Sequence, residues 1–264
     1  MTTAPSVLDL SIVIVSYNAR ADLENCLGSL AATPPVASHE IIVVDNASSD
    51  GSATAARAAG ARVIEAGANS GFAAANNLGI RASRGVNVLL LNSDTVVPER
   101  AIDALLLELQ RDDTVAVVGP RLVDVNGRPE LSFGRMIGPI NELRQKRLAR
   151  GDVEALTRSR HYPDWVSGAC LLVRKADANA VGLLDERYFM YTEDVDFCAA
   201  IRARGRRILF TPDVQVVHLR GRSAASAPRE TERAYRRSQV AFYEKHHPVW
   251  APLLKLYLRT RRRI

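Results

Sequence analysis

Four short runs of this chain gather residue types that can hold a phosphate, a metal ion or a proton. They are Ser16-Tyr17-Asn18, Asp45-Asn46-Ala47-Ser48-Ser49-Asp50, Asn92-Ser93-Asp94 and Glu193-Asp194-Val195-Asp196. Each of the first three follows an apolar, β-branched run that reads as a strand. Ligands of parallel α/β sheets collect outside the carboxyl ends of the strands. Three polar strand ends on one sheet edge therefore predict a cleft with a negative floor. Taken singly, each run is also an ordinary turn or helix cap. No Gly-x-Gly-x-x-Gly follows a strand and no Walker loop is present, which disfavours dinucleotide and ATP cradles. A phosphate site without a glycine loop needs another source of positive charge. A divalent cation held by a carboxylate supplies it; Asp94, close to Asn92, is the candidate, and oxygen ligands suit Mg2+ or Mn2+.

The elements that must position these residues can be read from periodicity. Strands are predicted over 10–16, 40–45, 62–65, 86–92 and 114–118, alternating with helices over 21–32, 52–59, 71–83 and 99–110. That alternation is the pattern of a parallel sheet covered by helices. The continuous apolar runs Ile12-Val13-Ile14-Val15, Ile41-Ile42-Val43-Val44 and Val88-Leu89-Leu90-Leu91 fit strands buried on both faces. Pro98 suits the first turn of the helix over 99–110. Residues 131–164 read as a long excursion from the sheet, of the kind that is functional or mobile. Regular signal returns with a strand over 165–174, a helix over 192–203 capped by Thr192, strands over 206–210 and 213–218, and terminal helices over 235–246 and 250–263.

Bulk properties narrow the class. A chain of 264 residues with 47% apolar and 24% charged residues is expected to form one globular domain with an appendage. No apolar run is long enough to cross a membrane. Met1 to Asp9 lacks the features of a secretion signal. Cys26, Cys170 and Cys198 are widely spaced and fit reduced, buried thiols, so the cytoplasm is the expected compartment. From Pro228 onward ten Lys/Arg face three Glu, a net of +7; with +6 for the whole chain, the remainder carries −1.

Several longer motifs carry a resemblance. Val15-Ser16-Tyr17-Asn18, Val43 to Asp50, Asn69-Ser70-Gly71-Phe72-Ala73 with Asn76-Asn77-Leu78-Gly79-Ile80, Leu91 to Asp94, Trp165-Val166-Ser167-Gly168-Ala169, Phe189 to Asp196 and His218-Leu219-Arg220-Gly221-Arg222-Ser223 run in order along the chain. Together they resemble the family 2 glycosyltransferases, most closely the bacterial rhamnosyltransferase branch, from about residue 10 to about residue 245. The resemblance implies an α/β GT-A fold: a Rossmann-like, mostly parallel but mixed sheet flanked by helices, with a C-terminal helical extension. It also implies inverting transfer from a nucleoside-diphosphate sugar.

By the same resemblance, Asp45 reads the nucleobase, with Asn46 beside it, and Ser16, Tyr17 and Asn18 line the base. Asn92-Ser93-Asp94 matches the motif usually written Asp-x-Asp; its last carboxylate binds the cation, and Asn92 is expected to bond ribose. Gly71, Phe72 and Asn76 line the sugar-nucleotide cleft, although Gly71 also suits a helix start and Phe72 the core. Trp165 and Gly168 fall on the acceptor side, with Trp165 equally suited to anchoring a strand end. Glu193 and Asp194 match the acidic pair beside the acceptor, with Asp194 at the general-base position and Asp196 kept as the alternative. A helix N-terminus would hold such a carboxylate in place and lower its pKa. His218 matches a late histidine near the metal or diphosphate, and a structural role is the other reading.

The expected catalytic domain is 1–227, with a nucleotide-binding half over about 1–120 and an acceptor half over about 121–227. Residues 228–264 form a basic, amphipathic tail suited to an anionic membrane surface, here the inner face of the cell membrane. Packing of that tail on the body is the competing reading, and no aromatic RNA-binding motif supports nucleic acid. The expected donor is dTDP-rhamnose, with UDP- and GDP-sugars as alternatives. The expected acceptor is a saccharide, free or linked to a polyprenyl diphosphate, in cell-surface polysaccharide assembly. A catalytically silent sugar-nucleotide-binding or scaffolding protein of the same fold is the rival hypothesis.

Overall fold

The computed structural model describes residues 7–219 and 228–261, apart from the side chains at 143, 146 and 228–230. Arg220 to Ser223 of the last motif, together with Arg262 and Arg263, lie outside the described residues. The strands are β1 (Leu8–Ser16), β2 (His39–Asp45), β3 (Arg62–Glu65), β4 (Gly85–Asn92), β5 (Thr95–Val96), β6 (Val115–Val123), β7 (Phe133–Gly134), β8 (Trp165–Val166), β9 (Cys170–Arg174) and β10 (Arg207–His218). The helices are α1 (Arg20–Ala32), α2 (Ser52–Ala58), α3 (Phe72–Ala82), α4 (Ala101–Gln110), α5 (Pro139–Leu148), α6 (Val153–Leu156), α7 (Lys175–Ala180), α8 (Glu193–Ala203), α9 (Pro228–His246) and α10 (Ala251–Thr260).

The main sheet has the order β3-β2-β1-β4-β9-β6-β10-β5. β1 runs parallel to β2 and β4, β2 to β3, and β6 to β10. β9 is inserted antiparallel between β4 and β6, and β5 lies antiparallel on β10. The sheet is therefore mostly parallel and mixed, as expected.

The apolar runs sort by period two onto its faces. Leu10, Ile12, Ile14, Val43, Leu89 and Leu91 join α1, α2 and α4 in one core; Val13, Ile42, Val44, Val88 and Leu90 join α3, α7 and α8 in the other. Each aliphatic side chain fully buried there contributes about 1.5–3 kcal/mol.

Three departures from the sequence reading have physical reasons. The strand expected over 165–174 is two strands: β8 pairs with β7 in a small separate sheet, and Ser167-Gly168-Ala169 carries the chain across to β9. The two strands expected over 206–210 and 213–218 are one, β10, with a register shift between Thr211 and Gln215. Pro212, which has no N–H to give a ladder, falls inside that irregularity. Pro98 turns the chain ahead of α4, which begins at Ala101.

The tail is not one unit. Phe242 and Tyr243 of α9 are buried against Tyr188, Val195 and Ala251, with Trp165 and Leu254 packed alongside. α9 thus belongs to the body's packing, whereas α10 leaves Leu253, Leu256 and Tyr257 exposed.

Candidate active site

The register of the first strands brings the polar runs together. Ser16 stands opposite Asp45 between β1 and β2, and Val15 opposite Asn92 between β1 and β4. Three adjacent strand ends so present Ser16, Asp45 and Asn92 side by side. Each holds a buried atom, Ser16 Oγ, Asp45 Oδ1 and Asn92 Oδ1, with no hydrogen-bond partner among the described residues. A buried polar atom left unpaired costs roughly 1–3 kcal/mol. Three in a row make a site that gains by binding a polar ligand.

The surrounding loops are fastened to one another. Asp45 Oδ2 accepts the Ser48 N–H at 3.1 Å, leaving Oδ1 free to accept another donor. Asn18, in the left-handed region at φ 48, accepts the Ser49 N–H at 2.8 Å and donates its own N–H to Ser48 Oγ. Tyr17 is half exposed beside it. Asn46 is nearly fully buried and its amide is spent internally: Nδ2 donates to Asn69 Oδ1 at 2.8 Å, and Oδ1 accepts the Ser70 N–H at 3.1 Å. Asn46 therefore shapes the loop over 69–71, which opens α3.

Gly71 lies at φ 87, and a Cβ there would sit 2.4 Å from the Phe189 carbonyl oxygen, so only glycine fits. The Phe72 N–H donates to that same oxygen at 2.6 Å, which clamps the start of α3 to the segment leading into α8. Asn76 is buried and donates to the Phe72 carbonyl at 2.9 Å, supporting the same corner from inside the helix.

Asp94 follows β4 in the link to β5, and β5 pairs with β10 so that His218 faces Thr95. His218 Nε2 lies 3.3 Å from Asp94 Oδ1, and its Nδ1 lies 3.2 Å from Glu130 Oε2. Burial alone disfavours charge on this imidazole, but the hydrogen bonds and charges of Asp94 and Glu130 outweigh it and push its pKa up to about 9. Glu130 went unnoticed in the sequence. It follows the turn at Asn126-Gly127, a dipeptide that signals a chain reversal, and the returning chain, bridged at Val123 and Pro129, brings it within reach of His218.

No group of three or more His, Cys, Asp or Glu able to hold a metal occurs among the described residues. A carboxylate with a neighbouring imidazole suits Mg2+ or Mn2+ bound largely through substrate phosphate oxygens and water, because these ions take few protein ligands in such sites. The donor set fits that arrangement and does not fit a closed structural metal centre.

Glu193 and Asp194 open α8. Tyr191 and Thr192, neither a glycine, both take left-handed backbone angles, φ 69 and φ 66. Such geometry costs on the order of 1–3 kcal/mol per residue and persists where surrounding contacts impose it. Here Phe72 holds the Phe189 carbonyl, and Ser238 Oγ of α9 donates to the Met190 carbonyl at 2.7 Å. Thr192 occupies the N-cap position, yet its side chain makes no capping bond.

Asp194 Oδ2 accepts the Gly168 N–H at 2.9 Å and Oδ1 the Val195 N–H at 2.8 Å. The helix terminus was expected to lower the carboxyl pKa, and the structure reverses that. Burial raises Asp194 despite its two amide donors, and burial together with the Asp194 charge raises Glu193 well above the usual range. Glu193 Oε2 has no partner among the described residues.

Asp196 is placed differently. It is 2% exposed. It accepts from Tyr188 Oη at 3.3 Å and Lys245 Nζ at 2.8 Å, and pairs with His246 Nε2 at 2.6 Å. These contacts spend both of its oxygens on an internal strut between α8 and α9. Asp194, not Asp196, stands beside Gly168. Trp165 donates its indole N–H to the Arg135 carbonyl at 3.0 Å, anchoring the small sheet while its ring packs against two cores. Two pockets, of about 230 and 350 Å3, lie away from the strand ends, at Glu244–Lys255 and around Arg81, Asp185 and Lys245.

The chain is similar to known proteins over most of its length. A family model described as Glycosyl transferase family 2 matches residues 11–177. An N-acetylglucosaminyl-diphospho-decaprenol L-rhamnosyltransferase of Mycobacterium tuberculosis is 32% identical over 272 residues, spanning 92% of this chain and 87% of that protein. The low-salt glycan biosynthesis hexosyltransferase Agl10 of Haloferax volcanii is 27% identical over 221 residues, spanning 80% of this chain and 67% of that protein. Among solved structures, the mannosyltransferase PcManGT from Pyrobaculum calidifontis, in complex with GDP-Man and Mn2+, superposes with a TM-score of 0.64 at 19% identity. That match covers 96% of this chain and 71% of the other.

Proposed function

The chain belongs to glycosyl transferase family 2, and from that premise we propose that it transfers L-rhamnose, with inversion, from dTDP-rhamnose to a saccharide carried on a polyprenyl diphosphate. Its fold is the GT-A fold. The observation that carries the transfer reading is the meeting of two kinds of group. Unpaired buried acceptors line the β1, β2 and β4 ends, and the segment beside Asn92, whose Ala169 carbonyl accepts the Asn92 N–H at 2.9 Å, holds Asp194 through the Gly168 N–H. The choice of rhamnose and of a lipid-linked acceptor rests on the M. tuberculosis relative.

In this reading Asp45 Oδ1 accepts the imide N–H of the base, Tyr17 flanks the base, and Ser16 and Asn92 bond the ribose. Asn18 and Asn46 hold the two base loops in place. Gly71, Phe72 and Asn76 wall the cleft, and Ser93 lies beside the diphosphate. Asp94 and His218 would hold a divalent cation, which supplies charge neutralisation for the leaving diphosphate. On the other side, Trp165 and Gly168 border the acceptor. As the acceptor oxygen bonds to the anomeric carbon, the bond from that carbon to the diphosphate oxygen breaks, and Asp194 takes the hydroxyl proton. A raised pKa strengthens Asp194 as a base while it remains ionised at the working pH. Glu193 Oε2 is available to a second acceptor hydroxyl. Asp196 acts only through position.

The test is transfer from dTDP-L-rhamnose to an N-acetylglucosaminyl diphosphate lipid with Mg2+ or Mn2+ present. The expected outcome is turnover that Asp194→Asn abolishes, with dTDP binding retained. Turnover with UDP- or GDP-sugars and none with dTDP-rhamnose would replace the donor assignment. Binding of dTDP-rhamnose without any turnover would favour the catalytically silent binder.

A further inference from the structure

We propose that α10 docks this protein on an anionic lipid surface through an apolar face that the fold leaves uncovered. Large exposed hydrophobic side chains are scattered over the body but crowd together here: Val249, Trp250, Leu253, Leu256 and Tyr257 fall within nine residues. The spacing of Trp250, Leu253, Leu256 and Tyr257 places them along one side of the helix. A second side is already used. Ala251 and Leu258 are buried, and Leu254 packs on the core formed by Tyr188, Val195, Phe242 and Tyr243. The helix is thus held to the body by one face while another looks outward. Leu253 and Leu256 are 57% and 61% exposed.

What covers that face is indicated by charge. From Lys245 to Ile264 the chain holds six Lys/Arg and no Asp or Glu. Lys255 is partly neutralised by Glu244, whereas Arg259 and Arg261 continue beyond it. The corner before α10 also touches the start of α5: His247 Nε2 lies 2.7 Å from the Ile137 carbonyl oxygen. That contact sets a further exposed apolar residue, Ile140, at the start of a helix that bears Arg144 and Arg147.

An apolar stripe with a tryptophan and a tyrosine, bordered by basic residues, matches the headgroup boundary of an anionic bilayer, which offers buried apolar contact and negative charge together. No helix of the described residues is long and apolar enough to cross a membrane, so this is attachment in the plane of the surface. The buried face of α10 leads through Tyr188 and Val195 to α8. The attachment does not depend on the transfer reading; only its usefulness for a lipid-linked acceptor does.

Binding is measured without any turnover, by co-sedimentation of the full chain with vesicles of phosphatidylglycerol and phosphatidylcholine, and by the fluorescence of Trp250 in a Trp165→Phe background. Expected results are sedimentation that weakens with salt and with phosphatidylcholine alone, and a blue shift of Trp250 emission. In Leu253→Glu/Leu256→Glu, vesicle affinity should fall at least about tenfold, the scale of exposing one leucine. Its thermal transition should not change, because both side chains are already exposed. A protein that stays in the supernatant at low salt overturns the proposal. So does undiminished binding by the double variant. So does a wild-type dimer that this variant converts to monomer, since a second copy would then cover the face.

Discussion

At the scale of single residues, the site is marked by what its side chains fail to do. Ser16 is fully buried, yet its hydroxyl finds no partner among the described residues, and the Asp45 and Asn92 oxygens beside it share that condition. A fold that keeps such groups loses stability on their account and regains it when a ligand pairs them. Ser16→Ala is therefore expected to leave the free protein's thermal transition unchanged or slightly higher. The same change should weaken nucleotide binding by about 1 kcal/mol, roughly fivefold. Calorimetric titration with dTDP beside a thermal melt checks both halves; a lower melting temperature with unchanged affinity would show a purely structural serine.

Glu193 gives the second residue-scale prediction. Its carboxyl pKa is raised in the fold by burial and then by the Asp194 charge. Between the unfolded and folded pKa values the native state holds a proton that the unfolded chain has released, so stability falls as pH rises through that window. Glu193→Gln should consequently stabilise the protein at neutral pH, and the gain should shrink as pH falls through that window and be gone below the ordinary Glu range. Melts across pH measure this directly.

The types and positions of these residues were legible because strand ends and motifs are local. Their protonation was not. A helix N-terminus visible in sequence argued for a lowered pKa, whereas burial, which depends on tertiary packing, decided the sign. Asp196 shows the same limit. Two residues from Asp194 in sequence, it turns inward to partners about 50 positions away.

At the scale of elements, the later part of the site is built by struts between helices. Asp196 on α8 binds Lys245 and His246 on α9, and Ser238 of α9 holds the Met190 carbonyl in the strained approach to Glu193. Removing one partner of a buried ionic cluster leaves the others uncompensated, at a cost of about 3–5 kcal/mol. Asp196→Ala is expected to destabilise the chain by about 3 kcal/mol and to lower kcat while dTDP affinity is kept. Asp196→Asn keeps two hydrogen-bonding atoms and should recover part of both losses. A denaturant melt with paired kcat and Kd measurements separates this from a base role, in which activity would vanish with stability intact.

The first-half elements were readable because their strands are continuous apolar runs and their helices amphipathic between them. What escaped was set by tertiary context. β9 enters antiparallel between β4 and β6, so the apolar stretch through Arg174 had to break at Gly168 to reach it. β7 and α5 to α7 are short, mixed in composition and carried by contacts, not by periodicity.

At the scale of the whole molecule, the first strands and the later chain are linked beside the site by Phe72 to Phe189, Asn92 to Ala169, and Asp94 to His218. The first two are hydrogen bonds between backbone groups. The third joins a carboxylate to an imidazole that is charged in its present surroundings, and it is the link a divalent cation with a diphosphate would enter. Each face of the shared sheet carries a full apolar core, with no closed metal cluster among the described residues. Folding therefore should not need metal, whereas nucleotide binding should.

Chelation with EDTA is expected to leave the melting temperature of the ligand-free protein unchanged. With Mn2+ present, dTDP at about 100 times its Kd should add about 2.7 kcal/mol, a rise of roughly 5–10 °C for a chain of this size. EDTA should erase that rise, and Asp94→Ala should erase it even with Mn2+ present. Loss of the ligand-free fold on chelation would instead place a structural metal in the body. A full dTDP-induced rise in EDTA would remove the cation from donor binding and leave the Asp94–His218 pair as a structural latch.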